Sequence, residues 1–281
     1  MAERGSERVE RFYDHHPINE EQILEALRAR GVAARDITAD ALHEHDQDHY
    51  GGVAALETLA VKAGIESRHY VVDLCSGMGG PARYLARTRG CRVVGIDLTA
   101  SRHQGAVRLT RLVKLGHRVS FCRADVRDIP FPDNSFDVAL SQEAFAHIPD
   151  KPRLIAEAVR VLKPGGTLAF TDIVRRGALP EEIEERLADG MAFAEIESSE
   201  GYASLLHANG CVLRAQEDLS EDWTRILRRR LEMYRGLRGT TIAQFGEAHY
   251  EKYDAAYAFF VSLYGEGLLG GARVVARKAP G

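Results

Sequence analysis

The chain has 281 residues, a formal net charge of -4 and 45% hydrophobic residues. This composition is typical of a globular protein and excludes disordered, collagen-like and transmembrane chains. The negative charge disfavours a uniformly basic face for nucleic acid. No apolar run approaches the roughly 18 residues that span a bilayer, and the charged N-terminus lacks the apolar stretch of a signal peptide. We therefore expect a cytoplasmic protein with no nucleic-acid or membrane partner.

The N-terminal region, residues 1–68, is predicted to be helical. Ile18, Leu24 and Leu27 fall near helical spacing after Pro17, and a second apolar set at helical spacing follows the Gly51–Gly52 break. We predict that this region forms a helical latch in front of a main domain over residues 69–281.

From Tyr70 onward, short apolar runs alternate with helical stretches. Strands that are separated by helices form a parallel, doubly wound sheet, so the main domain is predicted to be α/β and Rossmann-like. The runs are Tyr70–Leu74, Arg92–Ile96, Val119–Phe121, Phe136–Leu140, Thr167–Thr171, Cys211–Ala215 and Ala272–Ala276. The segment between the last two runs, about 219–268, is rich in Arg and Tyr and is predicted to form a helical lid over the carboxyl edge of the sheet.

A glycine-rich loop follows the first predicted strand. Gly77 and Gly79 lie where that strand meets a helix, and glycines there allow a tight turn and a close approach of the backbone to a ligand. With Asp97 about 20 residues further on, the loop also fits a dinucleotide fingerprint. The loop alone therefore does not decide the cofactor.

Acidic residues follow three successive predicted strands. Asp73 ends the first strand, where it would attract an ammonium group and repel a pyrophosphate. Asp97 ends the second, where a carboxylate can bind both ribose hydroxyls. Asp125 follows the third, where it can accept a hydrogen bond from an adenine amine. Together they indicate a ligand made of adenosine and an amino acid.

In their joint order, these motifs resemble those of class I S-adenosylmethionine-dependent methyltransferases. The likeness extends from Tyr70 to about Val174 and includes Gly95–Leu98, Ala124–Val126, Ile129–Asp137 and Leu162–Gly166. One departure is Cys75, which stands where the family usually has the first glycine of its loop. The resemblance implies a seven-stranded, mostly parallel sheet with an antiparallel last strand, and S-adenosyl-L-methionine as cofactor. The implied cofactor residues are Asp73, Gly77, Gly79, Asp97, Leu98, Asp125, Val126 and Gln142.

A closer likeness links the chain to the sarcosine/dimethylglycine and phosphoethanolamine N-methyltransferases. The segment Ser141–Asp150 is similar to the one that follows their fourth strand, and His49–Gly52 is similar to their N-terminal latch. The resemblance implies that Tyr50 and His147 form a dyad over the methyl donor. We expect Glu143 and His147 to hold the acceptor or to take its proton. Alternatively, Tyr50 only packs and His147 only caps its loop.

The resemblance implies a small-molecule acceptor, and we expect an amine nitrogen. The alternatives are C-methylation of a 2-oxo acid or another natural-product precursor and S-methylation of a thioether. Lid tyrosines would suit a cationic acceptor, but their spacing also fits an ordinary amphipathic helix. Lid arginines would suit an anionic acceptor, but they equally suit a solvated helix face. The residues concerned are Tyr250, Tyr253, Tyr257, Tyr264, Arg228, Arg229, Arg230, Arg235 and Arg238.

Metal binding is not predicted. His43, His45 and His49 are interspersed with acids, but their spacing matches no zinc signature, and an entrance loop that closes over the cofactor is the favoured interpretation. The four cysteines lie far apart and indicate reduced, buried thiols.

Three other classes of protein remain open at this point: an NAD-binding oxidoreductase, a non-enzymatic S-adenosylmethionine binder, and an RNA or protein methyltransferase. The sequence also leaves open a monomer or a homodimer.

Overall fold

The protein is described here by a computed structural model, which covers residues 2–14 and 19–281. Pro17 and Ile18 of the predicted helical latch lie outside the described residues. The N-terminal region forms a helix on each side of this gap, followed by two more. These helices are α1 (Ala2–Asp14), α2 (Glu20–Ala29), α3 (Ala39–His43) and α4 (Gly52–Lys62).

A seven-stranded sheet follows, in the spatial order β3-β2-β1-β4-β5-β7-β6. Strand β7 is antiparallel to both of its neighbours, and the other neighbouring strands run parallel. The predicted mostly parallel sheet with an antiparallel last strand is confirmed. Its strands are β1 (Tyr70–Leu74), β2 (Arg92–Asp97), β3 (Val119–Arg123), β4 (Phe136–Gln142), β5 (Leu162–Arg175), β6 (Cys211–Asp218) and β7 (Leu269–Lys278).

Strand β1 shows why these segments read as continuous apolar runs. Side chains alternate between the two faces of a strand, and here both faces are covered. Val71 packs into a core shared with α4, whereas Val72 packs into the core on the opposite face. A strand that is buried on both sides needs apolar residues at nearly every position.

Helices cover both faces of the sheet. The helix after β1 begins at Gly80, has Pro81 in its first turn and ends before Gly90, whose φ of +69° is left-handed. Proline at the start and glycine past the end are the usual boundaries of a helix. The helices between β1 and β6 are α5 (Gly80–Arg89), α6 (Ala100–Leu112), α7 (Lys151–Arg160), α8 (Glu181–Met191) and α9 (Ser199–Ala208).

Three helices are inserted between β6 and β7, namely α10 (Ser220–Gly236), α11 (Arg238–Phe245) and α12 (Glu247–Gly265). Their buried apolar side chains form a third core, in which Trp223 and Phe260 lie with Leu187 of α8 and Ile173 of β5. The insertion therefore packs over the carboxyl end of β5, and the predicted helical lid is present. None of the helices within residues 2–14 and 19–281 is long and apolar enough to cross a membrane.

The N-terminal helices pack against this domain. Leu27 of α2 and Leu42 of α3 share a core with Met78 of the glycine-rich loop and Leu109 of α6. The division of the chain at residue 68 stays a prediction.

Candidate functional site

A cavity of about 490 Å³ lies at the carboxyl ends of β1, β2 and β4. The strand order reverses between β1 and β4, and ligands of open α/β sheets bind at this switch point. The volume is in the range of small-molecule sites. Side chains from the sheet edge, from α1, from the loop 46–50 and from the lid line the cavity together.

The glycine-rich loop turns through left-handed backbone conformations at Gly77 and Gly79, with φ of +51° and +75°. Gly77 lines the cavity, and its N–H donates a 2.8 Å hydrogen bond to Asp97. Gly79 does not line the cavity. A Cβ at Gly79 would lie 2.5 Å from the ring of Phe121, so this position requires glycine for close packing.

Cys75 occupies a third left-handed position of the loop, with φ of +59°. Non-glycine residues rarely adopt this conformation. The departure from the family's usual glycine therefore leaves the turn in place but introduces backbone strain beside the cavity.

Within the described part of the chain, the carboxyl group of Asp73 is buried without a hydrogen bond to its Oδ2. It is buried near the end of β1 and lines the cavity, and its Oδ2 has no hydrogen-bond partner among the described residues. Burial, and secondly the charge of Asp97, raises the pKa of Asp73 to about 8. An ammonium group placed beside Asp73 would restore its ionised form. The position therefore fits the amino group of an amino acid.

Asp97 lies at the end of β2, also on the cavity wall. Its carboxylate accepts hydrogen bonds from the N–H groups of Gly77 and Thr99, at 2.8 and 2.9 Å. Burial raises the pKa of Asp97 in spite of these bonds. Two carboxylate oxygens offer about four acceptor positions, so Asp97 keeps capacity for ligand hydroxyls. Leu98 lines the cavity next to it.

The remaining predicted cofactor residues, Asp125, Val126 and Gln142, differ in their positions relative to the cavity. Asp125 lines the cavity, but Arg127 binds its carboxylate through two nitrogens, at 3.1 and 2.6 Å. Burial opposes ionisation of Asp125, and the bonds from Arg127 outweigh it and lower the pKa. Val126 packs in the core and is not part of the cavity wall. Gln142 lines the cavity and has a buried Oε1 without a partner among the described residues.

Glu143 joins the entrance loop to the sheet. Its carboxylate accepts hydrogen bonds of 2.5 Å from the backbone N–H of Tyr50 and from Oγ1 of Thr171. Burial raises the pKa of Glu143 to about 7. A carboxyl group that titrates near neutral pH and lines a cavity is suited to accept or hold a proton.

His147 lies in a one-turn 3₁₀ helix, Phe145–His147, after β4. Its Nδ1 lies 3.1 Å from the carbonyl oxygen of Ala192, and its Nε2 lies 3.1 Å from the hydroxyl of Tyr13. The imidazole is thus oriented from both sides at the cavity wall. Tyr13 was not predicted from the sequence, because nothing in the local pattern of α1 marks it as a site residue.

Tyr50 also lines the cavity, but its ring has other neighbours. It packs edge-on against Trp223, with ring centroids 4.9 Å apart, and the guanidinium of Arg230 lies 4.8 Å from its ring. The tyrosine hydroxyl that meets His147 in this structure is that of Tyr13. The dyad of Tyr50 and His147 stays a prediction.

The four predicted lid tyrosines differ in whether they line the cavity. Tyr253 and Tyr257 line the cavity and stack on each other, with centroids 5.9 Å apart. Tyr250 is buried and stacks on Tyr234, and Tyr264 is buried and donates a hydrogen bond to a backbone carbonyl of β7. Of the four tyrosines, Tyr253 and Tyr257 thus line the cavity, and their contact with an acceptor stays a prediction.

Arg230 is the one lid arginine among the described residues that lines the cavity. It donates hydrogen bonds to the carbonyl oxygens of Asp48 and His49, at 3.3 and 2.9 Å. Arg235 and Arg238 pair with carboxylates on α12. These three arginine side chains therefore hold the lid and the entrance loop, whereas Arg228 and Arg229 are not part of the cavity wall.

The histidines of the entrance loop point to different neighbours. His43 lies 3.8 Å from Asp46, His45 contacts Arg30, and His49 lies 3.0 Å from the side-chain amide of Gln142. Over residues 2–14 and 19–281, no three His, Cys, Asp or Glu side chains are grouped so that they could hold a metal ion. Residues of loop 46–50 line the cavity, and the closure of this loop over a cofactor stays a prediction.

Comparison with known proteins identifies the central region. Residues 72–170 match the family model described as "Methyltransferase domain". The glycine/sarcosine/dimethylglycine N-methyltransferase of Actinopolyspora halophila is 34% identical over 166 residues, which cover 59% of this chain and 29% of that protein. The sterol 24-C-methyltransferase of Eremothecium gossypii is 41% identical over 116 residues, which cover 41% of this chain and 31% of that protein. The chain thus spans about a third of the length of these relatives.

A solved structure shares the fold over nearly the whole chain. It is that of a putative sarcosine dimethylglycine methyltransferase from Galdieria sulphuraria, with a TM-score of 0.76 and 21% identity. The alignment covers 93% of this chain and 99% of that one. At this identity the likeness shows the fold.

Proposed function

We propose that this chain transfers the methyl group of S-adenosyl-L-methionine to a small-molecule acceptor, a proposal supported by the match of residues 72–170 to a methyltransferase-domain family and by the shared fold. The observation that carries the proposal is Asp73, a buried carboxylate at the cavity wall whose Oδ2 lacks a partner among the described residues. An ammonium group satisfies it, whereas a pyrophosphate would be repelled. Asp97 on the neighbouring strand supplies acceptors for ribose hydroxyls.

When bound, S-adenosyl-L-methionine supplies an electrophilic methyl group on a sulfonium, and the thioether left after transfer is neutral. The protein therefore needs to supply little electrophilic help. Its main contribution is to hold the acceptor in line with the methyl group, and such positioning lowers the barrier substantially. The lid helices and α1, which both line the cavity, would exclude water and fix that position.

We further propose that the acceptor atom is an amine nitrogen. His147 and Glu143 lie on the cavity wall, and either can orient an amine or take the proton it loses. Tyr13 and Ala192 contact the two ring nitrogens of His147 and so fix the orientation of its imidazole at the cavity wall. The relative from Actinopolyspora halophila, named as an N-methyltransferase, supports this choice.

The second candidate is methylation of a carbon atom. The relative from Eremothecium gossypii is named as a C-methyltransferase, and an acceptor carbon beside a ketone would need a base such as His147 or Glu143. Cofactor residues alone do not separate the two candidates, because they are shared by both reactions.

The test is methyl transfer from labelled S-adenosyl-L-methionine to amines, amino acids, thioethers, phosphobases and 2-oxo acids, with and without a chelator. We expect transfer to an amine that is insensitive to the chelator. Transfer to an oxo acid that is abolished by the chelator would contradict the amine proposal and favour metal-assisted C-methylation. Cofactor binding without transfer to any acceptor would contradict the enzymatic proposal itself.

A further inference from the structure

We propose that the acceptor is a mainly apolar molecule, whose hydrocarbon part lies along α10 between the reacting end of the cavity and a mouth formed by Met233 and Leu237. This inference rests on the proposed function, because it names the substrate class of the same site.

One face of α10 forms a wall of the cavity. Arg230, Met233, Tyr234 and Leu237 all line it, and their spacing of three, four and seven places them on one side of a helix. Seven residues of helix correspond to about 10 Å. Arg230 marks the inner end of the wall, since it contacts Tyr50. Leu237 marks the outer end, directly after α10.

The outer end of this wall is apolar and exposed. Met233 is 62% and Leu237 is 51% exposed, and both belong to the few large hydrophobic side chains that are exposed among the described residues. Two such residues at the mouth of one cavity form a continuation of its apolar lining. Exposed apolar surface that continues the lining of a cavity is consistent with a binding groove for an apolar ligand.

The surface next to this wall is also apolar and aromatic, and Tyr253 packs against Tyr234, with ring centroids 4.9 Å apart. Tyr253 and Tyr257 of α12 line the cavity. Met191, at the end of α8, and Phe193, just beyond it, also line the cavity. On α10, the hydroxyl of Tyr234 is buried and has no hydrogen-bond partner among the described residues, so it offers a polar contact to a bound acceptor.

The charges facing this part of the cavity argue against a small zwitterion or a phosphobase. Such acceptors need cationic donors for their carboxylate or phosphate. Three arginines of the described residues line the cavity, and each of them already has partners. Arg230 donates to the carbonyl oxygens of Asp48 and His49, Arg127 binds the carboxylate of Asp125, and Arg102 lies 3.9 Å from the carboxylate of Asp48. An anionic acceptor would have to compete with these contacts.

The experiment measures binding of n-alkylamines, from butylamine to octylamine, to the protein saturated with S-adenosylhomocysteine. Calorimetry then reads acceptor binding independently of methyl transfer. We expect affinity to rise about fourfold with each methylene, the factor that corresponds to about 0.8 kcal/mol for a buried methylene. Sarcosine and phosphoethanolamine serve as polar probes, and we expect each to bind at least tenfold more weakly than octylamine.

Two substitutions test the mouth. In Met233→Gln and Leu237→Gln the helix propensity changes little, and we expect octylamine to bind about fivefold more weakly while butylamine is unaffected. Val61→Gln is the matched control, because Val61 is 60% exposed on α4 and is not part of the cavity wall. We expect no change for this variant.

Affinity that is independent of chain length, or tighter binding of sarcosine or phosphoethanolamine, would overturn the inference. An equal loss in Val61→Gln would also overturn it. Methylation of the amines distinguishes a failure of the proposed function from a failure of this inference. Alkylamines that bind with the expected dependence and are never methylated would contradict the amine acceptor, whereas methylation of polar amines alone would contradict only the apolar class.

Discussion

The hydroxyl of Tyr13 lies 3.1 Å from Nε2 of His147, although 134 residues separate the two in the chain. Helix α1 brings the tyrosine across the cavity and is fixed there by polar contacts, Arg123 to Glu10 at 2.9 Å and Ser101 to Asp14 at 2.6 Å. The N-terminal helix therefore completes the part of the cavity where we propose that methyl transfer takes place.

Tyr13→Phe tests whether this hydroxyl orients His147. We expect kcat to fall between about twofold and tenfold, the range of one hydrogen bond. The affinity for S-adenosylhomocysteine should be unchanged, because the ring of Tyr13 still packs under Arg102, at 4.9 Å. Tyr70→Phe is a matched control at the far end of β1. Equal kcat values for wild type and Tyr13→Phe would show that the Tyr13 hydroxyl does not contribute to turnover.

Asp73 should make the ligand-free protein less stable as pH rises. The pKa of Asp73 is about 8 in the folded protein and about 3.9 in the unfolded chain. The folded state therefore holds the proton more tightly, and the free energy of unfolding falls as pH rises from about 4 to 8. We expect Asp73→Asn to melt several degrees above wild type at pH 8 and at nearly the same temperature at pH 4. A lower melting temperature of the variant at pH 8 would contradict this.

The same carboxyl group should link cofactor binding to pH. An ammonium beside Asp73 favours ionisation, so binding near pH 7 should release a proton. We expect the affinity for S-adenosylhomocysteine to increase from pH 6 to pH 8 in wild type and to stay nearly constant in Asp73→Asn. Calorimetric titration in two buffers of different ionisation enthalpy measures the released proton directly, and its absence would contradict the role of Asp73.

Glu143→Gln tests the carboxyl group between the entrance loop and the sheet. Burial raises the pKa of Glu143 to about 7, so its basic form increases through neutral pH. If Glu143 takes the acceptor's proton, kcat should rise with pH through an apparent pKa near 7, and this limb should be absent in Glu143→Gln. A pH profile of kcat that is identical in the two proteins would exclude Glu143 as the base.

The buried ion pair of Arg83 and Asp46 should hold the entrance loop on α5. Both side chains are fully buried, and Nη2 of Arg83 lies 2.8 Å from the carboxylate. We expect Arg83→Met to lower the free energy of unfolding by about 3–5 kcal/mol, because it leaves a buried charge unpaired. The double variant Arg83→Met/Asp46→Leu should recover most of the loss. Urea denaturation measures both, and a loss below about 1 kcal/mol in the single variant would contradict the assignment.

Local patterns in the sequence were sufficient to predict the sheet and many of the residues at the cavity edge. The seven apolar runs became the seven strands, because a buried parallel strand needs apolar residues throughout. Asp73 and Asp97 line the predicted edge, because the ends of neighbouring parallel strands meet there. Strand β5 is longer than predicted, since its first residues, Lys163–Gly166, carry no strand pattern.

Contacts between distant segments were beyond the reach of these patterns. Tyr13 meets His147, and Asp46 meets Arg83, only because tertiary packing brings separate helices and loops together. Similarly, Gly77 and Gly79 are alike in sequence, but only Gly77 lines the cavity. The packing of Gly79 against Phe121 depends on the position of β3, which the loop sequence does not encode.

The central claim, an S-adenosylmethionine site at Asp73 and Asp97, is tested most directly by calorimetric titration with S-adenosylhomocysteine and with NAD. We predict that the wild type binds S-adenosylhomocysteine and not NAD, and that Asp97→Ala loses most of this binding. His147→Ala should keep the binding, while its turnover falls by about a hundredfold, at the lower end of the usual contribution of an acid–base residue. Binding of NAD in competition with S-adenosylhomocysteine, or full binding of S-adenosylhomocysteine by Asp97→Ala, would contradict the account.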